Sequence, residues 1–392
     1  MSKIPKLRFK EFSGEWDGIK LKTISNKIGS GSTPRGGEKV YKKFGIPFIR
    51  SQNVNNNQLI FDNTTYIDEE IHSNMNNSCV IANDILLNIT GASIGRSCVV
   101  PKDFKEGNVN QHVCIIRLKD DYEPTFLQPF LASHNGKKLV FQGQTGSGRE
   151  GINFQSIGAF KLNIPSKQEQ EKIASFLNQV DTKIEQLTKK ETLLKEYKKG
   201  VMQKIFNQEI RFKADDGSEF CGWQDKKLSS LCSIKKGSQL NKDTLTEVGD
   251  YPAINGGINP SGYTTNYNTE AHTITISEGG NSCGYVNFIT TNFWSGGHNY
   301  SLQELKKNIE NLYLFQYLKH NEHLIMRLRV GSGLPNIQKG DINNFKVLVP
   351  CLEEQNKIAN FLSSIDTKVE QTQKQLELGK EFKKALLQQM FV

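Results

Sequence analysis

Apolar residues recur at heptad spacing through residues 164–207, with Ile173, Val180, Leu187, Leu194 and Val201 in register and Phe176, Leu177, Ile184 and Tyr197 beside them. That pattern predicts a helix with an apolar stripe about five heptads long, the signature of a coiled-coil seam. Pro165 stands just before it, Glu, Gln and Lys fill the other positions, and no proline interrupts the run. The stretch returns as residues 349–392 at a constant offset of 185, with Pro350 in the place of Pro165. Identity at about 20 of the aligned positions marks a duplicated unit. The second copy keeps Ile358, Phe361, Leu362, Ile365, Val369 and Phe382, while Thr372 and Gly379 fall on its seam. A solvated charged rod is the plainer alternative for each helix, but two matching stripes in one chain are natural partners. Each helix spans roughly 60 Å.

Between the helices the pattern shortens. Strands rich in Ile and Val are expected at 46–50, 79–81, 85–89, 97–100 and 113–118, and an amphipathic helix at 124–140. The glycine-rich run 29–37 reads as a loop. After the first long helix the organisation repeats with little shared sequence: a Gly/Asn loop at 255–262, strands at 273–277 and 285–289, and a helix at 309–328. The triplet Arg8, Phe9, Lys10 reappears as Arg211, Phe212, Lys213, and Trp16 and Leu21 have counterparts in Trp223 and Leu228. The duplication therefore covers nearly the whole chain, and its arrangement is cyclic: the beginning of the chain resembles the segment after the first long helix.

These patterns predict an α+β protein with a duplicated, pseudo-two-fold frame: units at 1–163 and 208–348, and long helices at 164–207 and 349–392 that pair antiparallel. The second helix should bring the C-terminus back beside the N-terminal segment.

Net charge sharpens the picture. The chain carries +9 at neutral pH, and the excess lies entirely in residues 1–207. An anionic partner, most economically nucleic acid, is expected. Seven cysteines form no CxxC pair, which suits free thiols in a reducing cytoplasm. No run approaches the roughly 20 apolar residues that cross a membrane, and the first residues lack the apolar core of a signal peptide.

Catalytic motifs do not emerge. Residues 146–151, GSGREG, match GxGxxG, but the second copy, GSGLPN, has Pro335 where a nucleotide-binding helix would begin, so both read as structural turns. His320 and His323 could share a helix face, but no third metal ligand is near in sequence. There is no Walker A run and no nucleophile elbow, and Asn259-Pro260-Ser261-Gly262 is not the Pro-Pro-aromatic tetrapeptide of an amino-methyltransferase. No cofactor or metal is expected. What remain are loops of side chains that grip phosphate and read base edges. In the first unit these are Ser32, Thr33, Arg35, Arg50, Gln52, Asn53, Arg96 and Gln111. In the second they are Lys235, Lys236, Ser238, Gln239, Asn255, Asn281, His298, Arg327 and Arg329.

Two diverged α+β units alternating with helices that open P-x3-EQ-x-KIA-x-FL and continue DTK resemble the specificity subunit of type I restriction-modification systems. The motif is carried by Pro165, Glu169, Gln170, Lys172, Ile173, Ala174, Phe176, Leu177, Asp181, Thr182 and Lys183. Its second copy is Pro350, Glu354, Gln355, Lys357, Ile358, Ala359, Phe361, Leu362, Asp366, Thr367 and Lys368. The resemblance implies two target-recognition domains, each reading half of a bipartite double-stranded DNA site, held apart by the helix pair. It also implies docking of two methyltransferase subunits, which methylate adenine with S-adenosylmethionine, and of restriction/motor subunits, with no catalytic residue in this chain. A stiff helix pair suits half-sites about one DNA turn, roughly 34 Å, apart. A coiled-coil scaffold whose two units bind proteins or sugars is the alternative, and steeply salt-dependent DNA binding separates the two.

Overall fold

The computed structural model describes residues 3–55, 57–145, 151–331, 333 and 335–392. The chain condenses into two compact units, Met1–Thr188 with Lys374–Val392, and Lys189–Gln373. Each unit therefore takes part of both long helices, which run over Lys167–Phe206 and Leu352–Gln389.

In the first unit an antiparallel sheet has the order Ser25–Ser30, Val113–Leu118, Ile85–Asn88, Ser97–Val99. A smaller sheet sets Ile46–Ile49 between antiparallel Thr65–Ile67 and parallel Gly107–Val109. The strand VCIIRL is apolar at all but one position because it is covered on both faces. Alternate residues separate into two cores: Val113 and Ile115 face one with Ile49 and Val109, while Cys114, Ile116 and Leu118 face the other with Phe126 and Leu131. Ile173, Ala174 and Leu177 of the first long helix enter that second core, as do Leu386, Met390 and Phe391 from the end of the second. The Phe391 ring lies 5.4 Å from Phe126 and 5.9 Å from Phe130.

The second unit repeats the main sheet strand for strand, while its smaller sheet has three strands where the first unit's has four. Its main sheet runs Ser233–Lys236, Asn299–Gln303, Thr273–Ser277, Val286–Ile289. Tyr251–Ile254 again lies between an antiparallel strand, Tyr263–Thr264, and a parallel one, Trp294–Ser295. Gln224–Lys227 pairs with Lys346–Val349 as Asp17–Lys20 pairs with Lys161–Ile164. Met202, Ile205, Phe206, Ile358, Ala359, Leu362 and Ile365 are buried in its core.

The long helices run antiparallel in each unit. In the first, Asp181 meets Lys383, and Gly379 leaves room for Ile184, whose Cγ1 would sit 3.4 Å from a Cβ built there. In the second, Gln373 Nε2 donates to Glu191 at 2.8 Å and Lys198 to Asp366 at 2.6 Å, so residue number falls on one helix as it rises on the other. Leu187 and Thr372, at the same place in the repeat, are both buried, Thr372 turning its hydroxyl onto the Lys368 carbonyl at 2.7 Å. Phe176, Val180, Ile184, Phe361 and Val369 are half-buried. Tyr197 and Phe382 leave the stripe: both are more than half exposed.

The Glu-Gln pair of the repeated motif is a structural clasp. Arg8 donates Nε and Nη2 to the two Glu169 oxygens, each at 2.8 Å, and Trp16 Nε1 adds a bond at 3.4 Å. Arg211, Trp223 and Glu354 repeat it at 3.1, 2.7 and 3.0 Å. Gln170 ties the Pro165 carbonyl (2.9 Å) to the Glu123 amide (3.0 Å), and Gln355 ties Pro350 to Glu310, both at 2.9 Å. The chain start is thereby fastened to the helix ends, with Leu7 N donating to Gln389 O at 3.0 Å. The C-terminus lies beside the N-terminal segment, as the cyclic duplication predicts.

Two expected helices are broken. Residues 124–140 form Pro124–Ala132 and His134–Gln142, because Ser133 turns extended and caps the second helix through Gly136 N. Residues 309–328 break at Asn321 into Asn311–His320 and Glu322–Arg327, which puts His320 and His323 on different helices. Residues 146–150 of GSGREG lie outside the described residues, as do Ser332 and Leu334 of its counterpart.

Candidate nucleic-acid interface

In the first unit Cys114 pairs with Ser30 and Val113 with Asn88, which brings three loops to one end of the main sheet: those after residues 30 and 88 and that before residue 113. Asn110 N donates to Ile49 O at 3.1 Å and Asn88 Nδ2 to Ser51 O at 2.8 Å, so the loop after Ile49 joins them. The approach is close enough to require glycine: a Cβ on Gly31 would lie 1.7 Å from Val109 O.

The second unit builds the same cluster with the same bonds. Gly296 N donates to Ile254 O as Asn110 N does to Ile49 O, and Glu278 N to His298 O as Ile89 N does to His112 O. Gly284 N returns to Ser277 O, and Gly95 N to Asn88 O, both at 2.9 Å. Gly237 takes the place of Gly31, its would-be Cβ 2.1 Å from Gly296 O. These bonds set the units in register: Ser32 with Ser238, Thr33 with Gln239, Arg50 with Asn255, Ala92 with Asn281, Gln111 with Gly297 and His112 with His298.

Most of the residues expected to touch nucleic acid gather here. Ser32, Arg35, Gln52 and Arg96 are exposed, and Thr33 Oγ1 donates to Gln111 Oε1 at 2.6 Å. Arg50 lies with its guanidinium 5.5 Å from the Tyr41 ring centroid and donates Nη2 to Thr65 Oγ1 at 2.9 Å. In the second unit Ser238, Gln239, Asn281 and His298 are exposed, and Asn255 Oδ1 accepts from His298 N at 3.2 Å. Lys236 Nζ reaches Glu278 at 2.6 Å, a carboxylate almost wholly buried that also accepts from Tyr300 OH at 2.9 Å. Burial, together with that bond to Glu278, pushes the Tyr300 hydroxyl up from its ordinary pKa. Helix Glu322–Arg327 packs on the 280–284 loop, where a Cβ on Gly284 would lie 2.8 Å from Met326 Cα, and places exposed Arg327 and Arg329 beside it.

Two residues stand apart. Asn53 is buried, 1% exposed, with Nδ2 on Ile60 O and Thr64 Oγ1 and Oδ1 on Arg50 N, so it shapes the loop and offers nothing to solvent. Lys235 alternates to the other face of its strand and pairs with Glu304 at 2.6 Å. Sequence reasoning misses His112. It holds Thr90 Oγ1 at 2.7 Å through Nδ1, and the stretch around it shares only the histidine with its counterpart: Asn110-Gln111-His112 against Gly296-Gly297-His298.

Three buried polar atoms without a hydrogen-bond partner, Arg50 Nε, Asn88 Oδ1 and Glu278 Oε2, lie at these loop ends, and two others, Asn311 Oδ1 and Gln316 Oε1, lie on helix Asn311–His320. Among the described residues no group of three His, Cys, Asp or Glu side chains is placed to hold a metal ion, and no helix is long and apolar enough to cross a membrane. All seven cysteines are free thiols. The arrangement is a polar loop end, made twice on one backbone frame with different side chains.

Comparison with known proteins agrees with this duplication. The family described as the type I restriction modification DNA specificity domain matches residues 13–196 and again 221–378. A putative type I specificity subunit of Mycoplasma pneumoniae is 33% identical over 171 residues, 43% of this chain and 45% of that protein, so the match spans less than half of the relative. A putative type I restriction enzyme MjaX specificity subunit of Methanocaldococcus jannaschii is 24% identical over 404 residues, covering 96% of this chain and 93% of the relative. In fold, the crystal structure of a type I restriction-modification S subunit from M. genitalium superimposes with a TM-score of 0.68 at 17% identity, over 99% of both chains. With both of its halves matched, and with the repeated helices and paired loop ends in place, the chain belongs to the type I restriction-modification DNA specificity family.

Proposed function

We propose that this chain is the specificity subunit of a type I restriction-modification complex and that each unit reads one half of a bipartite double-stranded DNA site. In this reading residues 1–163 and 208–348 are the target-recognition domains, and residues 164–207 and 349–392 are the spacer helices. The helices dock two methyltransferase subunits, which methylate adenine from S-adenosylmethionine, and restriction/motor subunits complete the complex in the cytoplasm. This chain supplies recognition, and its partners supply the chemistry.

One observation carries the reading: two units with the same main-sheet strand order and the same backbone bonds present different polar side chains at equivalent loop positions, such as Arg50 against Asn255. A fixed frame with varied contacts is what reading two different half-sites requires. Membership of the specificity family supports it. The test is methylome sequencing of a host that expresses the chain with its methyltransferase partner, before and after residues 20–163 are exchanged for those of a relative. One half of the methylated site should change. A swap that alters both halves, or neither, refutes independent reading.

A further inference from the structure

The register between the two reading ends separates positions that differ from positions that do not. Arg50 corresponds to Asn255, Thr33 to Gln239, Ala92 to Asn281 and Gln111 to Gly297. Ser32 and Ser238 are the same residue, each following the glycine that packs on the neighbouring strand. His112 and His298 are also the same, each with its carbonyl bonded to the amide just past the central strand, at 3.0 and 2.9 Å. In the first unit the imidazole is anchored through Nδ1 to Thr90 Oγ1 at 2.7 Å; in the second the exposed His298 ring has its Nδ1 3.7 Å from Glu278 Oε2, beyond hydrogen-bond distance. The anchor in the first unit leaves Nε2 outward, where it accepts from the Gln111 amide at 3.3 Å. To donate to a phosphate oxygen the ring exchanges that bond and carries a proton on Nε2.

Two units that diverged over most of this surface keep two serines and one histidine at matched backbone positions. These are exposed Ser32 and Ser238, half-buried Ser93 and Ser282, and His112 and His298. Of these, Ser282 turns its hydroxyl onto the Gly256 carbonyl. A contact common to both cannot depend on the bases, which differ between half-sites. It suits the element every half-site shares, the phosphate backbone. We propose a division of labour at each reading end: Ser32 with His112, and Ser238 with His298, hold phosphate oxygens, while the positions that differ read base edges. Glu278 is a positioning residue in this scheme, its buried carboxylate setting Lys236.

This inference rests on the DNA-reading function proposed above, and the experiment separates the two. The chain assembled with its methyltransferase partner is assayed by fluorescence anisotropy on duplexes carrying its methylated site and on single-base variants of each half, across a salt series. His112→Ala and His298→Ala should each weaken binding roughly tenfold on every duplex alike and leave the methylated sequence unchanged. Ser32→Ala and Ser238→Ala, at exposed positions, should act in the same direction and decide the matter if a histidine variant fails to fold. Arg50→Ala and Asn255→Ala should instead relax discrimination in one half-site. Altered sequence preference in a shared-position variant, an effect confined to one unit, or unchanged affinity in all four would overturn the division of labour. If the unsubstituted complex binds no DNA at any salt, the specificity reading itself fails.

Discussion

Glu169→Ala tests the frame that holds the first unit together. Glu169 is 1% exposed and meets Arg8 in a two-bonded pair whose arginine side chain is only 13% exposed. It also accepts from Trp16 Nε1, and the bonds to Glu169 raise the Arg8 pKa. Removing the carboxylate leaves a mostly buried guanidinium without its partner, a change that costs about 3–5 kcal/mol. For a compact unit of this size each kcal/mol lowers Tm by about 2–4 °C, so a drop of roughly 10 °C is expected. The loss should be local: limited proteolysis should open residues 3–15, which the clasp fastens to the helix. Glu354→Ala should do the same to residues 208–222, where Arg211 and Trp223 repeat the arrangement. Because the penalty comes from an unpaired ion, Arg8→Ala combined with Glu169→Ala should be less harmful than the sum of the two. Calorimetry and trypsin digestion of the wild type, both single variants and the double variant decide it. An unchanged Tm with a protected N-terminal segment in Glu169→Ala, or strict additivity, would show that the pair is not what holds the segment.

Three other expected outcomes come from local environments. A circular permutant joined by a short linker from Val392 to Ser2 and opened near Asp215 should fold and methylate the same sequence, because Leu7 and Gln389 are already hydrogen-bonded; loss of folding would contradict the closed frame. Cys98, Cys114 and Cys232 are buried and their thiols pushed up to about 12, so maleimide at neutral pH should modify exposed Cys221 and reach those three only after unfolding; mass spectrometry reads the order. His320, packed 5.1 Å from the Phe206 ring centroid, has its pKa lowered first by burial and then by His323. The unfolded chain thus takes up this proton before the folded one, and stability present above about pH 6.5 is lost as pH falls through the lowered value. His320→Gln should flatten the decline in urea midpoint between about pH 7.5 and 5.5, and equal slopes would dismiss the assignment.

The long helices are legible in the sequence because their information is local and repeated. Heptad spacing places Ile173, Leu177, Ile358 and Leu362 inward, and the structure buries all four. Tyr197 and Phe382 flank the same stripe yet are more than half exposed, although Lys198 and Lys383 beside them bond across to the other helix, since periodicity fixes a face and not the width of the contact made on it. Strands such as Asp17–Lys20 carry no such signal, because they are polar edges whose partner, Lys161–Ile164, lies more than a hundred residues away. The breaks at Ser133 and Asn321 depend on local backbone turns that an apolar pattern does not report.

The reading end is legible as a composition and not as a constellation. Arg50, Gln111 and Asn255 can be chosen for their side chains, but Asn53 and Lys235 have the same chemistry and are turned inward or to the opposite face. Which polar residue faces a ligand is decided by strand phase and loop closure, both set by long-range bonds such as Gly296 N to Ile254 O. His112 shows the reverse case. Alone it is one histidine in a loop, and only the matched bonds of the two units reveal that it stands where His298 stands. Internal duplication thus does for this chain what a second structure does for most proteins: positions that the two copies keep define the frame and its common partner, and positions they change define what each copy distinguishes.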